Sequence, residues 1–100
     1  MRELEIFLPM KRNDGTPIDA GEIRRIKDTV LKAFGGYTHL DHRFEGAWRF
    51  GGVVLHDDVT ILRVLDDGTA NFDIASFKRE IEAALGQDTV LVIARDVDVL

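Results

Sequence analysis

The sequence has no cysteine. Disulfides, thiolate zinc sites and thiol nucleophiles are excluded together. Serine is almost as scarce: Ser76 is the only one, and it falls where a helix should begin, so it reads as a capping residue rather than a nucleophile. There are two prolines, Pro9 and Pro17. No stretch approaches the roughly 20 apolar residues of a membrane-spanning helix. The first residues, Met1-Arg2-Glu3-Leu4-Glu5, carry acids where a secretory leader needs a basic start and an apolar run, so a cytoplasmic location without membrane attachment is expected. A basic excess is also missing, since the formal net charge is −5. Nucleic-acid binders draw most of their affinity from phosphate neutralisation. The clusters Lys11-Arg12 and Arg24-Arg25-Ile26-Lys27 are diluted by neighbouring acids, and no nucleic-acid partner is expected. Neither a phosphate loop nor a dinucleotide fingerprint occurs.

What is present suits one folded domain over residues 1–100, 45% hydrophobic and 31% charged. A chain of this length buries roughly two-thirds of its unfolded surface. Residues 3–10 alternate, with Leu4, Ile6 and Leu8 on one side and Glu3, Glu5 and Phe7 on the other, which predicts a strand ending at Pro9. Lys11 to Pro17 is a polar loop. Asp19 and Glu22 have capping-box spacing. Ile23, Ile26, Val30, Ala33 and Phe34 then recur at helical spacing up to Gly35, a fitting left-handed cap. Tyr37 to Phe44 reads as a strand, Glu45-Gly46-Ala47 as a bulge or turn, and Trp48-Arg49-Phe50 as renewed extended chain before Gly51-Gly52. The next core strand is expected at Val59–Leu65. A second helix should start at Asp73, bury Ile74, Phe77, Ile81, Ala84 and Leu85, and close at Gly86. Thr89–Ile93 is a dense apolar strand, and 96–100 alternates to the end.

The order strand, helix, strand, strand, helix, strand predicts an α+β fold: a ferredoxin-like βαββαβ sandwich, with a four-stranded antiparallel sheet and two helices on one face. Parity places Phe7, Val59, Ile61, Leu65, Leu91 and Ile93 on the face without helices, beside Arg63 and Arg95. So much contiguous apolar surface predicts a homodimer through the open sheet face.

The stretch Phe34–Gly52 holds five of the nine glycines, the only Trp, the only Tyr and two of the three His. Tyr37, His39, Asp41 and Arg43 share one side of the predicted strand, and with Trp48 they form the candidate ligand-binding site at the sheet rim. Arg43 and Arg49 are bidentate donors suited to a small anionic ligand. His39 and Asp41, with His56, Asp57 and Asp58 further on, are metal-ligand types, but neither count nor spacing fixes a site, so no metal or other cofactor is assigned. His39 with Asp41 as an orienting partner is the only acid–base pairing in view, and neighbours on one strand project in parallel rather than meeting.

Phe34-Gly35-Gly36-Tyr37-Thr38, Gly46-Ala47-Trp48 and Leu85-Gly86-Gln87-Asp88 resemble a pattern in small bacterial proteins of about a hundred residues. The resemblance implies a bacterial source and an αβ sandwich, and brings no catalytic residue with it. Sheet-face dimers of this kind resemble the dimeric α+β barrel group. The expected function is a homodimeric domain that binds a small ligand or a protein partner. The alternatives are a small dimeric-barrel enzyme, oxygenase-like or metal-dependent, and an interaction or assembly protein.

Overall fold

The computed structural model describes all 100 residues. Its elements are β1 (Arg2–Pro9), α1 (Ala20–Phe34), β2 (Thr38–Phe50), β3 (Val53–Asp66), α2 (Ile74–Ala84) and β4 (Val92–Asp96). The strands form one antiparallel sheet in the order β2-β3-β1-β4. This is the predicted ferredoxin-like arrangement, with β1 and β3 in the centre and β2 and β4 at the edges. No helix is long and apolar enough to cross a membrane.

The alternation in β1 decides the layers. Leu4, Ile6 and Leu8 lie opposite Val64, Leu62 and Thr60 of β3. The apolar members of that row are completely or almost completely buried and pack with Ile26, Val30, Phe77, Ile81, Leu85 and Val90. Directly opposed residues of an antiparallel pair share a face, so the other row, Glu5, Phe7 and Pro9 with Arg63, Ile61 and Val59, turns to the open face.

Both helices start as their sequences dictate. The Asp19 carboxylate accepts from the Gly21 N–H at 2.8 Å, and the Asp73 carboxylate from those of Ala75 and Ser76. Each satisfies donors that the first turn leaves free. Ser76 also donates its hydroxyl to Asp73, as a capping residue should. Gly35 ends α1 at φ 84°, a conformation only glycine adopts freely. The second half of the expected capping box is absent, because Glu22 turns away to Arg12, whose guanidinium donates to both carboxylate oxygens at 2.6 Å.

Three expectations about strands are corrected. β2 runs unbroken through Glu45-Gly46-Ala47, and its irregularity sits earlier: Leu40 pairs with Ile61 but Phe44 with Val59, so Asp41, His42 and Arg43 bulge. β3 begins at Val53, with His56-Asp57-Asp58 inside the ladder rather than ahead of it. The last strand is Val92–Asp96, centred later than Thr89–Ile93, and 97–100 carries no ladder.

The open face keeps the expected parity but not the expected exposure. Glu5, nearly buried, lies between Arg95 Nη2 at 2.7 Å and Arg63 Nη2 at 3.2 Å. Glu3 Oε1 stands 2.9 Å from Arg63 Nε, without the alignment of a hydrogen bond. These four charges occupy the middle of the face. Val59 is buried, while Phe7, Ile61 and Ile93 are half-buried. Leu65 and Leu91 are exposed as expected, and a further group of exposed apolar side chains lies on the β2–β3 hairpin.

Candidate functional site

β2 and β3 extend past the body of the sheet. β1 stops at Pro9, opposite Val59. From Glu45 to Asp57 the two strands therefore pair only with each other, as a two-stranded arm closed by the Gly51-Gly52 turn, while the Asp58 carbonyl still accepts from the Met10 N–H. Gly51 has φ 63°, as the favoured two-residue hairpin turn requires. Nothing packs over the arm, and its apolar residues, with Phe44 at its root, stay in water: Trp48, Phe50, Val53, Val54 and Leu55 are all exposed, Phe50 by 81%.

One part of the arm is tightly fitted. Trp48 Nε1 donates to Asp57 Oδ1 at 2.9 Å. Asp57 lies opposite Gly46, so the indole reaches back across the glycine. A Cβ on Gly46 would stand 2.3 Å from Asp57 Oδ1 and 3.0 Å from Trp48 Nε1. Glycine is needed here for space, not for its backbone angles. The indole is thus held in one orientation by its N–H.

Trp48 lines a groove of about 970 Å3 at this end of the molecule. One wall is the arm, including Leu55 and His56; the floor includes Phe7, Pro9 and Val59; the far wall is the 11–15 loop and the 87–92 segment. That far wall is tied down. Arg12 Nη1 donates to the Ala84 carbonyl at 2.9 Å while the same guanidinium holds Glu22. Gln87 donates to the Lys11 carbonyl at 2.7 Å, and the Asn13 N–H to that of Gly86. Lys78 is engaged by Glu82. Two cations on the groove, Lys11 and Arg49, have no carboxylate within ion-pair distance.

The remaining candidate residues do not meet Trp48. His39 lies opposite Leu62 and so faces the helices, whereas Trp48, opposite Leu55, faces the other way. His39 Nδ1 accepts from Lys27 Nζ at 3.4 Å, which leaves the proton on Nε2 to be donated to Thr60 Oγ1 at 3.1 Å. Burial holds this imidazole below its usual range; the Lys27 ammonium pushes the same way, and Asp41 opposes both. Tyr37 lies near the same ammonium, its ring centre 5.8 Å from Nζ. Arg43, in the bulge, reaches Asp58 at 3.7 Å. No group of three or more His, Asp or Glu side chains is placed to hold a metal ion. Sequence reasoning missed Lys11, Arg12, His56 and Asp57 as groove residues. Asp57 carried a signal in its pairing with the strand that bears the only tryptophan, but the loop residues carried none.

No protein-family model matches the chain, and no curated protein is similar to it in sequence. Solved structures do share its fold. CutA1, the divalent cation tolerance protein of Thermus thermophilus, superposes with a TM-score of 0.66 at 16% identity, over 97% of this chain and 84% of that one. A CutA1 variant from Pyrococcus horikoshii gives 0.65 at 15%, over 100% and 86%. A phage SAM lyase in complex with S-methyl-5'-thioadenosine gives 0.64 at 13%, over 95% and 80%. At these identities the likeness is one of fold.

Proposed function

We propose that this chain is a homo-oligomeric domain, a homodimer in its simplest form, that binds a small anionic ligand with a flat ring in the groove beside Trp48. The observation that carries this reading is the fixed indole. An exposed tryptophan held by Asp57 over a glycine has already lost its rotamer freedom, so a ring stacking on it pays little for ordering the site. Lys11 and Arg49 supply charge for an anionic group at the same groove. A phage enzyme of this fold holds a nucleoside thioether, which supports a small aromatic ligand here. Tyr37 and His39, beside Lys27 of α1, and Asp41 and Arg43 in the bulge stand at the root of the arm and do not enter this site. Self-association accounts for the exposed apolar side chains, which a monomer rarely displays in one patch.

Trp48 is the only tryptophan, so its emission reports the site directly. Titration with adenosine monophosphate, S-methyl-5'-thioadenosine and Mn2+ is expected to give saturable quenching with a nucleoside ligand, strongest for the monophosphate. Lys11→Ala combined with Arg49→Ala should weaken the monophosphate at least tenfold and spare the uncharged nucleoside. Emission that none of the three alters would remove the ligand reading.

A further inference from the structure

We propose that the carboxylate of Asp57 receives the hydroxyls of a ribose, so that the ligand of the groove is a free ribonucleotide rather than its deoxy counterpart. This rests on the ligand reading above and adds which part of the ligand each group of the site selects.

Asp57 is the one acid that shares the indole's face of the arm. It lies opposite Gly46, which precedes Trp48 by two residues, whereas Glu45 and Asp58 of the adjoining pair turn to the other face. Those two are also engaged, Asp58 with Arg43 and Glu45 with His56, each at 3.7 Å. Asp88 stands across the groove, on the far wall. Asp57 commits only Oδ1, which accepts from the Trp48 N–H. Its Oδ2 makes no hydrogen bond and no ion pair. The carboxylate is nevertheless fixed, because the indole N–H holds it over the bare Cα of Gly46, in space that a Cβ would fill. A carboxylate offers about four lone-pair sites, and the indole uses one.

The position of this group decides what it meets. An indole N–H lies in the plane of its ring, so the carboxylate that accepts from it stands at the rim, level with the ring. A flat ring stacked on the indole lies about 3.5 Å above that level. Donors on the edge of the stacked ring point parallel to the indole and pass over the carboxylate, off the line that a hydrogen bond needs. A sugar stands out of the plane of the base that carries it, and its hydroxyls come down to the carboxylate. Asp57 accepts and cannot donate, so it takes O–H groups and repels phosphate. The phosphate is thereby turned to Lys11 and Arg49, the cations of the groove without a carboxylate partner. Base, sugar and phosphate each meet a group that suits them: the indole, Asp57 and the two cations.

Titration of the Trp48 emission in the wild-type protein with adenosine monophosphate and with its 2',3'-dideoxy analogue reads the sugar alone and needs no variant. The dideoxy compound should bind about tenfold more weakly, the loss expected for hydrogen bonds to a charged acceptor. Asp57→Asn keeps a carbonyl for the indole N–H and should leave the unliganded emission and the far-ultraviolet spectrum unchanged. Neutral hydrogen bonds are about half as strong, so in this variant the two compounds should come within about threefold of each other. The ratio is the reading, because loss of a negative charge strengthens both phosphates alike. Equal binding of both compounds to wild type overturns the sugar assignment and leaves the ligand reading standing. A tenfold preference that survives in folded Asp57→Asn puts the hydroxyls on another group and overturns the role of Asp57. Emission that neither compound alters overturns this assignment and the ligand reading together.

Discussion

Gly46 shows how one residue sets the geometry of the candidate site. Its missing Cβ leaves the gap through which Trp48 reaches Asp57. Gly46→Ala should break that hydrogen bond, shift the emission of the single tryptophan and lower stability by about 1 kcal/mol in urea titration. Asp57→Asn keeps an acceptor oxygen and should leave the emission close to wild type. An unmoved spectrum in Gly46→Ala would show that the indole is not held by this contact. The sequence marks Gly46 as unusual, because glycine inside a strand signals either a bulge or a close approach. The reading of a bulge was wrong here; the close approach applies. The true bulge, at Asp41-His42-Arg43, left no trace in the pattern. Both faces of β2 are polar there, and the two extra residues restore the original parity by Phe44. With parity preserved, plain alternation already puts His39 and Trp48 on opposite faces, and only the break expected at Glu45-Gly46-Ala47 allowed them to be grouped.

At the level of elements, alternation and helical spacing were enough for β1, α1, α2 and the layer order. Each carries an apolar row whose burial outweighs any other arrangement. The arm was harder to read, since Val53–Asp58 has no buried row to declare a strand. Contacts between loops were not readable at all. Arg12 joins the polar loop to Glu22 at the start of α1 and to the Ala84 carbonyl at the end of α2, 72 positions away. Nothing in the local sequence selects that partner. Arg12→Ala should cost about 1–3 kcal/mol, because a partly buried carboxylate and a helix-end carbonyl lose their donors together. Arg12→Lys should recover little, since one ammonium cannot span both acceptors. Equal urea midpoints for the lysine variant and wild type would show that charge alone holds the loop.

For the molecule as a whole, the arm gives an elongated outline of 41 × 27 × 25 Å. Its root is fastened to α1 by the Lys27–His39–Thr60 chain, and this attachment depends on pH. The folded state holds His39 below the ordinary value of 6.5, so the unfolded chain takes up the proton first. The contribution of His39 is therefore complete above about pH 6.5 and declines as pH falls toward the lower folded value. Asp14, Asp67, Asp73 and Glu82 are also held below their usual range, chiefly by side-chain hydrogen bonds from Thr16, Thr69, Ser76 and Lys78. Their share fades only in more acid solution, from about pH 4 downward. Urea midpoints followed from neutral to acid pH should show two declines, and His39→Gln should abolish the upper one alone. A variant that keeps the upper decline would assign it to another group.

The strand order β2-β3-β1-β4 also bears on how the chain emerges from the ribosome. β1 is made before its sheet neighbours, and both of them come from the second half of the sequence. Until Asp66 has left the exit tunnel, Leu4, Ile6 and Leu8 have only α1 to shield them. The other neighbour, β4, follows later still, after α2. The nascent polypeptide must therefore carry its stickiest segment uncovered through much of translation, which makes early recruitment of a holdase chaperone an advantage built in by topology.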